Sequence, residues 1–273
     1  MTWFTATVVT DDGEIPLRDL PVGEVVSAAL TAGPDDGWQY VSFLHLRGDR
    51  ETFDAARALC RSDEPARRAL GADILAQLGA VTVTSAEETA SVPVEQRPFR
   101  AASITLLLDV IADETDETVL PSVIGALGHL GDPHAVGPIA RHREHPDVEV
   151  RWMVVQSLTH FADEDDAALA HLIEMTADPA RRIRDWSCFG LYQTGRDTPE
   201  VREALLARTD DTDPVTRGEA LRALAALEDP RAVEPLRAAL AAPANPADDP
   251  SGESAALLEE AREHLAGYMT DPR

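Results

Sequence analysis

The chain has 273 residues, 24 basic side chains against 49 acidic ones, a formal charge of −25, and 44% hydrophobic but only 5% aromatic residues. That apolar share can fill a core, which excludes wholesale disorder, and the negative charge excludes a general binder of phosphate backbones, which needs a cationic surface. All of the basic residues are arginine, so no lysine serves as a Schiff base, phosphate-loop cation or general base.

In chain order, residues 1–35 form an N-terminal extension. Thr2 to Thr10 is rich in β-prone residues, Asp11-Asp12-Gly13 is a turn signal, and Glu14 to Leu17 can return as a second strand, which predicts a short β-hairpin lying on the first helices. The start has no basic leader and no long apolar run, so neither a signal peptide nor a membrane span is expected. Cys60 and Cys188 are too few for a disulfide framework, which predicts a reduced, cytoplasmic setting. Val22 to Leu30 reads as a helix, and Trp38 to Leu46 opens a repetitive array spanning residues 36–267. Residues 80–96 interrupt the array as a long loop or a β-like excursion. Ala242 to Gly252 is a second loop, Glu253 to Ala266 a closing helix, and 268–273 a tail.

The array is visible in its spacing. Arg151, Arg184 and Arg217 follow one another at 33-residue intervals, with Leu120 in the same place 31 residues before Arg151 and Arg68 a further 52 residues upstream. Seven residues beyond these five positions stand Leu75, Leu127, Leu158, Leu191 and Leu224. Four beyond stand Ala72, Ile124, Val155, Cys188 and Leu221, and three beyond stand Gly71, Val123, Val154, Ser187 and Ala220. Offsets of three, four and seven share one helix face, so each copy is an amphipathic helix. A second helix precedes most copies. Asp132-Pro133-His134-Ala135-Val136 recurs as Asp229-Pro230-Arg231-Ala232-Val233, and aspartate before proline is a helix start. Asp49, Asp163 and Asp197 are expected to open the equivalent helices, and Asp147, Asp178 and Asp213 to cap the arginine-bearing ones.

Helix pairs repeated at this period belong to α-solenoids. The segments Gly125-Ala126-Leu127-Gly128-His129-Leu130-Gly131-Asp132-Pro133 and Asp229 to Leu236 resemble HEAT repeats, and more narrowly the short HEAT-like repeats of the phycobilisome lyase type. The resemblance implies an all-α fold, a right-handed superhelix of about six HEAT-like hairpins, and it is specific for fold rather than for function.

If the arginine-bearing helices line the inner, concave surface, the face opposite the leucines holds offsets two, five and nine. These are Met153, Gln156 and His160, then Trp186, Phe189 and Gln193, then Glu219, Arg222 and Ala226, with Ser122, Gly125 and His129 upstream. Met153, Gln156, His160, Trp186, Phe189, Gln193 and Arg222 are the candidate partner-binding residues. An apolar centre with a polar rim is the composition of a protein-binding hot spot, while Trp186 and Phe189 could equally pack between neighbouring helices. The aligned arginines are expected to bond carbonyls or aspartates of the adjacent repeat. The eight histidines complete no metal site by spacing, and the two cysteines fall at apolar helix positions. Deoxyhypusine hydroxylases are HEAT-like di-iron enzymes built on His-Glu pairs; only the reversed Glu144-His145 and Glu263-His264 occur here. Alkylpurine DNA glycosylases share the fold with Trp and Asp in a basic cleft, and Asp185-Trp186 imitates that pair amid the wrong charge. The sequence therefore predicts a non-enzymatic scaffold or adaptor for a basic protein, with no cofactor, no metal and no nucleic acid. The alternative is a HEAT-fold enzyme of the glycosylase, metal-hydroxylase or bilin lyase type.

Overall fold

The computed structural model describes residues 7–10, 13–83, 89–242, 247 and 249–269. Helices dominate, and the chain divides into two compact units, Met1–Pro138 and Ile139–Arg273.

In the first unit, β1 (Thr7–Thr10) pairs antiparallel with β2 (Gly13–Pro16), the expected hairpin; Thr2 to Ala6 and the turn residues Asp11 and Asp12 lie outside the described residues. Helix α1 (Val22–Arg47) joins two segments that the sequence had kept apart. Eight residues of straight helix rise about 12 Å. A Cβ placed on Gly37 would nevertheless lie 3.0 Å from the Ala29 carbonyl oxygen, so α1 is sharply bent and the two expected segments are its limbs. Then come α2 (Arg50–Leu59), α3 (Pro65–Ala76), α4 (Arg100–Asp113) and α5 (Leu120–Leu130). Asp49 starts α2 as expected, accepting the Thr52 N–H at 2.8 Å. α3 packs on α5, with α2 and α1 against α3 and α4 against α5. The interruption after α3 is the β-like alternative: β3 (Val81–Val83) pairs with β4 (Thr89–Ser91) as a hairpin.

A short helix, α6 (Val136–Ala140), carries the boundary. The second unit holds α7 (Val148–Thr159), α8 (Asp166–Met175), α9 (Arg181–Thr194), α10 (Pro199–Leu206), α11 (Pro214–Ala226), α12 (Val233–Ala241), α13 (Glu253–His264) and α14 (Ala266–Met269). α7, α9, α11 and α13 stack in one row, each packed on the next. A second layer is laid against them: α8 on α7 and α9, α10 on α11, α12 on α13.

The periodic residues fill the core as their spacing demands. Leu75, Leu127, Leu158, Leu191 and Leu224 are all buried, as is every residue at offsets three and four. Burying one such leucine contributes about 2 kcal/mol. Gly71, the smallest of the series, is dictated by a close approach: a Cβ there would sit 2.7 Å from the Cys60 backbone nitrogen.

The helix starts need three corrections. α8 is capped by Asp165 rather than Asp163, because the turn after α7 runs on to residue 165, whose N–H bonds the Phe161 carbonyl. α10 is capped by Thr198, and Asp197 is instead gripped by Arg202 at 2.6 Å. α9 starts after Ala180 without a side-chain cap, because Ala180 holds the position that Asp147 and Asp213 hold elsewhere; Asp178, two residues earlier, accepts the Ala180 N–H and pairs with Arg151. Asp147 and Asp213 do cap α7 and α11.

Candidate functional site

Along one edge of each unit the aligned arginines form a repeated structural bond. Arg151 donates to the carbonyls of His145 and Pro146 behind it and closes a two-pronged pair on Asp178 of the next helix pair, at 2.8 and 3.0 Å. Arg184 does the same with Asp178 and Pro179 behind and Asp211 ahead, at 2.8 and 2.7 Å. In the first unit Arg68 repeats the arrangement on Glu114, across the inserted β3–β4 hairpin. Arg217 keeps the carbonyl bond, to Asp211. Planar guanidinium forks suit this two-sided bonding. The arginine bonds hold Asp211 and Glu114 below the usual carboxylate range against the cost of burying them. These groups are spent on holding repeats together.

The face turned away from the leucines differs. Trp152 of α7 meets Trp186 of α9 edge to face at a ring separation of 6.0 Å, and Trp186 meets Phe189 at 5.4 Å. All three are half-buried, so they pack between helices and still reach solvent. Two guanidinium groups lie over this row. Arg182 stands 3.8 Å from the Trp152 ring centre and bonds Glu149. Arg222 of α11 stands 3.9 Å from the Tyr192 ring and 5.7 Å from that of Phe189, and it pairs with Glu219 and with Glu260 of α13. Tyr192 donates its hydroxyl to Glu260 at 3.0 Å. Stacking of this kind attracts a cation to the π face while a carboxylate holds its edge.

Of the seven candidate residues, the structure brings together Trp186, Phe189 and Arg222. Met153 and Gln156 are half-buried along α7, His160 is exposed at its C-cap, and Gln193 is exposed near the end of α9. The partner-binding set left out Trp152, Arg182, Tyr192 and Glu260, and the sequence offered Asp185 only as half of the glycosylase-like Asp185-Trp186 pair. Offsets one, five and eight are the stripe i, i+4, i+7, and they hold Trp152, Asp185, Phe189 and Tyr192. The face is thus rotated by about one residue from the one chosen. Glu219, at offset two, is buried beneath the row rather than displayed on it.

The row also leaves polar atoms unsatisfied. Trp152 Nε1, Asp185 Oδ1 and Arg222 Nε are closed off from solvent with no hydrogen-bond partner. Burial, reinforced by Glu253 and Asp213, pushes Asp185 up to about 7; burial does the same to Glu219 in spite of Arg222. Elsewhere, Cys60 and Cys188 are buried, and burial pushes the Cys60 thiol up to about 12 and Cys188 further. Among the described residues no group of three or more His, Cys, Asp or Glu gathers to hold a metal ion, and no helix is long and apolar enough to cross a membrane.

The sequence model for HEAT repeats matches residues 104–192 and 170–248. No curated protein matches the chain. Among solved structures, YibA of Escherichia coli aligns with a TM-score of 0.64 at 18% identity, over 93% of this chain and 89% of that one. The archaeal HEAT-like repeats protein from Thermococcus onnurineus NA1 aligns at 0.53 and 11% identity, over 92% and 99%. A designed armadillo repeat protein, solved in complex with peptide (KR)4, aligns at 0.51 and 14% identity, over 76% and 99%. At such identities the likeness is one of fold: an all-α solenoid of stacked helix pairs. The match is to HEAT repeats at large, and nothing narrows it to the lyase type.

Proposed function

We propose, from the premise that this chain belongs to the HEAT-repeat family, that it is a non-enzymatic protein-binding scaffold whose partner is a basic protein docked on the aromatic row of α7, α9 and α11. One observation carries the reading: three half-buried rings in edge-to-face contact line a surface whose arginines are already paired with the chain's own carboxylates. Aromatic rings with arginine beside them, ringed by polar groups, are the usual anchors of protein interfaces. The net charge of −25 supplies the steering towards a cationic partner. The designed armadillo repeat protein of similar fold was solved in complex with a peptide of that charge, (KR)4. The same field speaks against a DNA glycosylase, because Glu253, Asp213 and Glu219 surround the Asp185-Trp186 pair and would repel a phosphate backbone.

The test is a titration of the intact chain with peptides of alternating lysine and arginine, followed by tryptophan fluorescence at low and raised salt. Binding that weakens with salt, and by at least about tenfold in Trp186→Ala/Phe189→Ala with the fold retained by circular dichroism, supports the reading. Equal binding by the double variant, or tighter binding of duplex DNA than of the peptides, overturns it.

A further inference from the structure

The carboxylates bordering the aromatic row differ in what they hold. Glu149 receives Arg182, while Glu219 and Glu260 receive Arg222, and each of these arginines also lies over a ring. Asp185, half-buried on α9, breaks the pattern: its Oδ1 is closed off from solvent without a donor, no arginine is paired with it, and the rest of its side chain faces solvent. It lines a cleft of about 290 Å³, whose walls include Arg181, Arg182, Asp213, Val215 and Glu253.

We infer that this cleft takes an arginine side chain of the partner, whose guanidinium pairs with Asp185 as Arg182 and Arg222 pair with their own carboxylates on the same face. The inference rests on the reading of the chain as a scaffold for a basic protein and names the side chain that such a partner must present. The chain itself displays that pairing twice over, Arg182 on Glu149 at 2.6 Å and Arg222 on Glu219 at 2.5 Å.

The competing occupants fit less well. The Asp213 carboxylate is taken up by the Thr216 N–H and hydroxyl, and that of Asp249, at the cleft edge, by Ser251, Ser254 and the Glu253 N–H. Asp185 and the neighbouring Glu253 remain, too few oxygens for a calcium or magnesium shell. A lysine ammonium is compact and strongly hydrated, so it loses more on entering a half-buried cleft than a guanidinium does. The volume lies at the small end of ligand cavities, suited to one side chain rather than a whole metabolite. An entering guanidinium also supplies the cation whose lack, together with burial beside Glu253 and Asp213, leaves Asp185 hard to ionise although Arg222 and Arg181 pull the other way.

The experiment compares a short arginine–serine peptide with its lysine–serine counterpart on the intact wild-type chain and on Asp185→Asn, at pH 6 and pH 8. The expected result is at least about tenfold tighter binding of the arginine peptide by wild type, a preference that grows towards pH 8 as Asp185 gives up its proton. In the Asp185→Asn variant the preference shrinks to about twofold and no longer depends on pH. Arginine and lysine peptides that bind alike, with Asp185→Asn unchanged, overturn this inference and leave the basic-partner reading standing. Failure of both peptides to bind wild type overturns that reading and this one with it. Asn replaces Asp with the same shape, and thermal unfolding of the variant confirms that a lost preference is not lost folding.

Discussion

Arg184 and Arg222 stand on adjacent helices of one stack, and their surroundings differ in kind. Arg184 is closed on every side: two carbonyls behind, the Asp211 carboxylate in front, and its side chain only 12% exposed. Arg222 is as deeply set, at 11%, yet its Nε has no acceptor, and it shares its charge among Glu219, Glu260 and two rings. Buried polar atoms are nearly always satisfied; three that are not, Trp152 Nε1, Asp185 Oδ1 and Arg222 Nε, gather on this face, whereas among the described residues the ladder has one, Arg208 Nε beside Asp211. The ladder repeats because every helix pair must be fixed to the next. The aromatic row does not repeat on α5: the corresponding positions there are Pro121, Ser122, Gly125 and Gly128. The first unit has instead a stacked ring pair, Phe53 on Phe99 at 4.7 Å with Arg50 near both rings, between α2 and the start of α4.

Removing one residue from each side of α9 tells core from binding surface. Leu191→Ala should cost about 4 kcal/mol in urea unfolding, since the leucine is 2% exposed and its cavity cannot collapse among stacked helices. Trp186→Ala, half-buried, should cost no more than about 2 kcal/mol. Equal costs would make Trp186 a core residue and remove the reason to call this face a binding surface.

The ladder can be tested within itself. Arg184→Ala leaves the buried Asp211 carboxylate to Arg208, at 3.4 Å, with Arg217 on the residue's carbonyl, and should cost about 3 kcal/mol. Arg217→Ala removes a carbonyl bond, the one it makes to Asp211, and should cost about 1 kcal/mol by the same unfolding measurement. If the two agree, the paired aspartate contributes nothing and the ladder reduces to local capping.

The ladder was legible before any coordinates, and so was the core. Leucine at one offset in five copies leaves a helix face no other role, and arginine aligned in four of those copies points to one repeated bond. The capping aspartates were less legible. Asp163 and Asp165 both precede α8 within three residues, and only the length of the turn after α7 decides between them. The bend within α1 depends on how its limbs pack, which no local pattern encodes. The functional face was half legible. Trp186 and Phe189 were found because they are aromatic and opposite the leucines. Trp152 and Tyr192 were passed over because they sit one residue to the side, and Glu260 because it comes from α13, after a loop that spoils the register. Tertiary contact, not spacing, assembles that cluster.

The smallest expected effect separates ladder and row by pH. Asp185 and Glu219 keep their protons to about pH 7 in the folded chain, against ordinary carboxylate values near 4 when unfolded. The folded state therefore binds more protons across that interval, and stability falls as pH rises from about 4 to 7. The ladder acids Asp211 and Glu114 run the other way: their depressed values give stability that is present above the ordinary range and is lost as pH falls below about 4. The melting temperature should accordingly be a few degrees higher at pH 5.5 than at pH 8. Asp185→Asn should flatten that slope, because the substituted amide carries no proton to lose. Arg184→Ala should leave the slope in place while steepening none of the acid side, since Asp211 then loses the partner that held its value down. A melting curve flat between pH 5.5 and 8 in wild type would mean that solvent reaches Asp185 and Glu219 freely, and a carboxylate already in water has no reason to wait for a partner's guanidinium.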